Sequence, residues 1–223
     1  MLRPRKRLTK REIKEDKFLE FVLRASVFVR KHRTHLIGGV LAIVLAVVGT
    51  NLALKGRETK QLEAAELLAD ARMAGTGGQV DEAIRLGEQI IRDFGSTRSA
   101  QEALVLLGNA YFDMERYDQA MELFQRYLKE SNQEEEILRY AAWSGLAACL
   151  EEQGRYGEAG EQYRQYGDEN RGSPYAAWML LDAARCFKLS GEKGKAEAVL
   201  ERILVAYPDS EVAFKARRAR MML

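Results

Sequence analysis

Apolar and polar positions divide the chain into three stretches of different character. In residues 1–33, Ile13, Phe18, Phe21, Val22 and Ala25 recur at helical spacing behind Thr9-Lys10-Arg11-Glu12, which matches a capping box. This leader is predicted to form a basic amphipathic helix. Residues 34–55 follow, and between Arg33 and Lys55 there are 21 residues without Asp, Glu, Lys or Arg. Eleven of the 19 residues from Leu36 to Leu54 are Leu, Ile or Val. At about 1.5 Å of rise per helical residue, that length crosses a hydrocarbon core of roughly 30 Å. A cleaved signal fits worse, because the leader is longer than a usual n-region and Asn51-Leu52-Ala53 is a poor cleavage site. A core helix that is apolar on every side would need protein all round it, yet its sequence neighbours are polar. One retained transmembrane helix over 34–55 is therefore expected.

From residue 56 onward the pattern turns to amphipathic helices in pairs. Four segments look alike, starting at Gly77, Met114, Gln153 and Ser190. Each sets a turn before an alanine, at Ala83, Ala120, Ala159 and Ala196, and the spacings are 37, 39 and 37. A small residue stands 12 positions before each alanine, at Ala71, Gly108, Ala147 and Ala184, where two antiparallel helices can approach closely. The pattern predicts an all-α array of helical hairpins over 56–223. The first repeat is degenerate, with Gly87 where a bulky residue is expected, and its turn Gly75-Thr76-Gly77-Gly78 reads as loose. Asp209 or Ser210 is expected to cap a last helix, Glu211 to about Arg220, covering the apolar end of the stack.

In the second repeat, Leu104, Leu107-Gly108, Tyr111, Ala120 and Phe124 fall at the spacing of the tetratricopeptide pattern. Trp143, Leu146, Ala159 and Tyr163 continue it, then Leu180, Phe187, Ala196, Leu200 and Pro208. The chain thus resembles the tetratricopeptide repeat family over about residues 60–223. The resemblance implies a superhelix whose first helices line a concave groove for a peptide or partner helix. Carried over by position, that groove would present Val105, Asn109, Phe112 and Asp113, then Ser144, Ala148 and Glu151, then Trp178, Leu181, Arg185 and Lys188. It lacks the Lys/Asn/Arg set with which some relatives clamp a terminal carboxylate. Lys215, Arg217, Arg218 and Arg220 form a second candidate patch.

Charge adds an orientation. Residues 1–33 hold 12 Lys/Arg and 4 Asp/Glu, whereas residues 55–74 hold 4 of each. The positive excess should keep the leader in the cytoplasm and send everything from Lys55 across the membrane, into the periplasm if the source is bacterial. A basic leader suits the surface of an anionic leaflet, with an RNA surface as the alternative. Residues 55–223 carry 23 Lys/Arg against 29 Asp/Glu, a net charge of −6 that argues against nucleic acid as the partner of the repeats.

Candidate catalytic chemistry is sparse. The two histidines, His32 and His35, sit at the cytoplasmic end of the expected span, outside the repeats, and no P-loop, G-x-S-x-G or H-E-x-x-H pattern occurs. No catalytic residue, metal site or cofactor is expected, and the Glu134–Glu136 run reads as a solvated loop. Cys149 and Cys186 stand one repeat apart, and equivalent points on packed helices lie about 8–10 Å apart, too far for a disulfide. Buried thiols are the expectation.

A basic leader, one span and a small repeat domain together resemble the ancillary subunits of the bacterial SecYEG translocon, which take part in periplasmic chaperone networks. The resemblance implies an inner-membrane, single-pass interaction scaffold or chaperone-like adaptor, with translocon components or periplasmic chaperones as partners. A structural oligomerisation module organising a division-linked or cell-wall-linked assembly is the alternative.

Overall fold

The computed structural model describes residues 10–130 and 135–223, with side chains from residue 21 onward except at positions 25, 29, 36, 37 and 40. Every described regular element is α-helical: α1 (Lys10–Thr76), α2 (Val80–Asp93), α3 (Arg98–Asp113), α4 (Tyr117–Glu130), α5 (Glu136–Glu152), α6 (Tyr156–Glu169), α7 (Ala176–Leu189), α8 (Lys193–Ala206) and α9 (Glu211–Arg220). The chain divides into two compact parts at Glu58 and Thr59.

The first part holds α1 up to Glu58, interrupted at His32, where φ −112 and ψ 17 leave the helical region. Among the described residues no helix is long and apolar enough to cross a membrane. The span expected over 34–55 includes Leu36, Ile37 and Val40, whose side chains lie outside the described residues, as do the capping box at 9–12, the side chains of Ile13, Phe18 and Ala25, and Glu134.

The second part holds α1 from Thr59 and the eight helices that follow. Consecutive helices pack as hairpins, and α3 also meets α5, as α7 meets α9. All four hairpin turns use one solution. A residue at positive φ stands two positions after the last residue of the first helix, namely Gly78 (φ 77), Glu115 (φ 61), Gly154 (φ 73) and Gly191 (φ 83). Its N–H donates to the carbonyl three residues back, and the next N–H to the carbonyl five back. Examples are Glu115 to Phe112 and Arg116 to Tyr111, both 2.9 Å, and Gly154 to Glu151 and Arg155 to Leu150, both 2.8 Å. These bonds satisfy carbonyls that a helix end leaves open. The first turn, expected to be loose, closes the same way, with Gln79 N–H on Ala74 O at 2.8 Å, because Gly78 supplies the left-handed residue.

Between repeats a hydroxyl restarts the helix. Thr97 accepts from Ala100 N–H at 3.2 Å and Ser210 from Ala213 N–H at 3.0 Å, while Ser173, at the equivalent position, accepts from Tyr175 N–H at 3.2 Å. Replacing such a cap by Ala costs about 1 kcal/mol. Ser210 rather than Asp209 therefore caps α9. Of the Glu134–Glu136 run expected to be a solvated loop, Glu136 instead opens α5 and Glu135 pairs with Arg98 of the preceding repeat, while Glu134 lies outside the described residues.

The core follows the alanine pattern. Ala120, Ala159 and Ala196 are fully buried, and Ala83 nearly so. Large side chains fill the space left by glycines: a Cβ added at Gly108 would come within 2.5 Å of Phe124 Cε1, and one at Gly145 would also meet the same ring. Burial of Phe124 contributes about 1.5–3 kcal/mol, and it depends on both glycines. Gly87 is explained in the same way, because Leu107 of the next repeat occupies its missing side chain's place. On α9, Arg217 and Arg220 stand one repeat after the buried Leu180 and Ala183, and the exposed Phe214 one repeat after the buried Ala177, so the end of the stack mixes charge with an apolar side chain where earlier repeats are apolar.

Candidate functional site

Two of the cavities along the array lie between successive first helices, one toward each end, and they are structurally equivalent. One, of about 450 Å³, lies between α1 and α3 and is lined by Ala71, Arg72, Gly75, Leu106, Asn109 and Asp113. The other, of about 330 Å³, lies between α7 and α9 and is lined by Ala184, Arg185, Lys188, Ala219 and Met222. Adding 113 to Ala71, Arg72, Gly75, Leu106 and Asn109 gives the latter five residues, and 113 is the distance from Ala83 to Ala196. Each cavity is therefore the notch between two successive first helices.

The expected binding residues divide among these notches and the core. Asn109 and Asp113 are exposed and border the first notch. Leu181, Arg185 and Lys188 border the second. Val105 does not reach the surface expected of it: at 4% exposure it belongs to the core around Phe124, on the buried side of α3. Phe112 is half-buried and sets its ring edge-on to Tyr117 at 5.5 Å, which makes it chiefly a packing residue. Trp178 is 36% exposed, and Lys215 of α9 places its ammonium 4.2 Å from the ring centroid. Such a contact stabilises by about 0.5–1 kcal/mol at an exposed site.

Between the two notches, α5 and α7 are tied by charge. Arg185 donates to both carboxylate oxygens of Glu151, at 2.5 and 2.8 Å, and Tyr163 Oη donates to the same carboxylate at 2.9 Å. Burial works to raise the Glu151 carboxyl, but the bonds from Arg185 and Tyr163 outweigh it and hold the group below its ordinary range. Asp182, 3.5 Å from Arg185, moves the other way: burial raises it and Arg185 offsets only part of the rise. Arg185 is thus a strut between repeats as well as a lining residue, a role that groove position alone did not suggest.

Lys215 and Arg218, a separate patch in the sequence, line the second notch together with Asp182, Leu200 and Leu223. The part played by Met222 was legible from the repeat spacing, since it lies 37 positions after Arg185. Lys188 donates to Met222 O at 2.7 Å and Lys193 to Leu223 O at 2.8 Å, which holds the last turn of the chain against the notch.

Both cysteines are buried and free. Burial pushes the Cys149 thiol up to about 11 and the Cys186 thiol up to about 12, so neither supplies a thiolate near neutral pH. Among the described residues no group of three or more His, Cys, Asp or Glu could hold a metal ion.

Comparison with known proteins agrees with the repeat geometry. The tetratricopeptide repeat-like domain family matches residues 27–166, and the tetratricopeptide repeat family matches residues 179–210. A putative kinesin light chain of Podosopora anserina with nearly identical TPR-like repeats is 22% identical with a TM-score of 0.53, over 66% of this chain and 76% of that one. A single-substitution variant of that protein is 23% identical with a TM-score of 0.52, over 64% and 74%. MamA AMB-1 is 16% identical with a TM-score of 0.50, over 71% and 79%. At these identities the solved structures speak for the fold alone. No curated protein matches the chain significantly. The family match covers more than half of the chain, and with the hairpin array it shows that this protein belongs to the tetratricopeptide repeat-like domain family.

Proposed function

We propose that this chain is a membrane-anchored interaction scaffold of the bacterial envelope. One helix crosses the inner membrane, the leader stays in the cytoplasm, and the periplasmic array holds a segment of a partner protein against the face of its first helices. The observation that carries the anchor is the surface of α1 beyond Arg33. Leu41, Ile43, Val44, Leu45, Val47 and Leu52 are each between 49% and 67% exposed, and together they cover more than half of the helix's circumference, the remaining side carrying the small Ala42, Ala46, Gly49 and Ala53. An apolar surface of that extent needs lipid or protein around it. Two of its polar side chains bond back to the helix's own carbonyls, Thr50 donating to Ala46 O at 2.9 Å and Asn51 to Val47 O at 3.4 Å, which lowers their cost in hydrocarbon. The family match begins at residue 27 and runs through most of α6, which supports treating the apolar segment and the repeats as parts of one design.

Anchoring confines the array to two dimensions and raises its effective concentration near other membrane proteins. The layout's resemblance to ancillary translocon subunits ranks translocon components and periplasmic chaperones first among partners, in an adaptor role. End-to-end stacking into a structural module would cover the exposed Phe214 but would also bury Arg217 and Arg220. Reporter fusions test the anchor. An enzyme active only outside the cytoplasm should work when fused after Leu223 and fail when fused ahead of Arg3, and the opposite pattern would overturn the topology.

A further inference from the structure

The notch between α7 and α9 differs from its counterpart between α1 and α3 above all in its charge. Arg185, Lys188, Lys215 and Arg218 line it against one acidic side chain, that of Asp182, whereas the counterpart balances Arg72 with Asp113. The residues that carry this notch belong to a domain of net negative charge. Arg185 is already met by Glu151, and Lys215 by Glu211 at 2.9 Å. Lys188, however, donates to a neutral carbonyl, that of Met222, and among the described residues Arg218 forms no ion pair. The floor is apolar, made by Leu181, Ala184, Leu200, Ala219 and Leu223. We infer that this notch takes a segment of a partner protein in which one apolar side chain enters the cavity while neighbouring Asp or Glu side chains meet Lys188 and Arg218. The inference rests on the scaffold reading above and names the chemistry of its partner.

The physical reasons are volume and field. A cavity of about 330 Å³ admits a side chain and its flanking backbone, not a folded surface. Cations around an apolar floor attract carboxylates at a distance and reject lysine-rich segments, so charge selects and the floor holds. An anionic lipid headgroup offers similar charge, but a concave, apolar-floored notch fits an inserted side chain better than a flat leaflet.

The test uses the full chain in neutral detergent and a displayed library of random short peptides, with Lys215→Glu/Arg218→Glu as the comparison protein. Retained helical content by circular dichroism establishes that the double variant is folded, and Lys188→Ala serves as a milder second variant. The expected result is recovery of peptides with an apolar residue flanked by Asp or Glu, bound about tenfold more weakly by the double variant and more weakly in high salt. Recovered peptides that are neutral or basic, or that bind both proteins equally, overturn this inference and leave the scaffold reading standing. Loss of co-sedimentation with anionic vesicles in the double variant, with peptide binding unchanged, reassigns the notch to lipid and also overturns it. Failure to recover any peptide with either protein overturns the peptide-holding reading itself.

Discussion

Arg185 on α7 grips Glu151 on α5 through both of its terminal nitrogens, at 2.5 and 2.8 Å, although the two residues are 34 positions apart in the chain. The pair joins two repeats, with Glu151 nearly buried at 13% side-chain exposure and Arg185 half exposed at 48%. Arg185→Ala is expected to lower stability by about 1–2 kcal/mol, toward the lower end for a charged hydrogen bond because the guanidinium is solvated. For a chain of this size each kcal/mol shifts Tm by about 2–4 °C. Thermal melts would show the loss, and an unchanged Tm would mean that the pair is ornamental to the array.

The same pair predicts a pH dependence. Glu151 is held below its ordinary carboxyl value of 4.5, so its contribution is fully present above that value and is lost as the pH falls through the depressed folded value. The Tm difference between the parent and Arg185→Ala should be constant from neutral pH down to about 5 and should shrink in more acid solution. A difference that grows on acidification would contradict the assignment.

Gly108 and Phe124 give a packing test. A methyl at Gly108 would meet the Phe124 ring at 2.5 Å, too close for any real contact, and the ring is also packed closely against Gly145. Gly108→Ala should therefore cost about 1–3 kcal/mol, despite the higher helix propensity of Ala. Combining it with Phe124→Leu should cost less than the sum of the two single changes, and strict additivity in urea denaturation would show that the residues do not touch.

Glu115 offers the reverse case. It holds φ 61 at the turn position where the other three repeats have glycine. Side chains disfavour that conformation by about 1–2 kcal/mol, partly offset by the greater backbone freedom of glycine when unfolded. Glu115→Gly is expected to stabilise by about 0.5–1 kcal/mol, seen as a higher urea midpoint with an unchanged m-value. A lower midpoint would indicate that the Glu115 side chain makes a contact of its own.

The array is legible in the sequence because its packing is periodic: Ala120 and Phe124 announce their neighbours by spacing, and Asp209-Ser210 announces the start of α9 without telling which of the two caps it. Repeat one looks degenerate only while Gly87 is judged alone, since its partner, Leu107, lies in the following repeat. The binding face is harder to read. Position in the repeat locates Asn109, Asp113, Leu181 and Lys188 at notches, but it does not tell that Val105 turns inward or that Arg185 is engaged by Glu151. Those outcomes depend on which residues the neighbouring helix presents. The second notch is split in the sequence between two patches that only the fold of α9 against α7 brings together.

The central claim is that the face of the first helices holds a partner beside the membrane, and photocrosslinking in native membranes tests it most directly. A photoreactive residue at Asn109 or Leu181, each lining a notch, is compared with one at Gln165 or Glu197 on second helices. The scaffold account predicts adducts with other envelope proteins from the first pair of positions and not from the second. Equal adducts from all four positions, or none from Asn109 and Leu181, would contradict it.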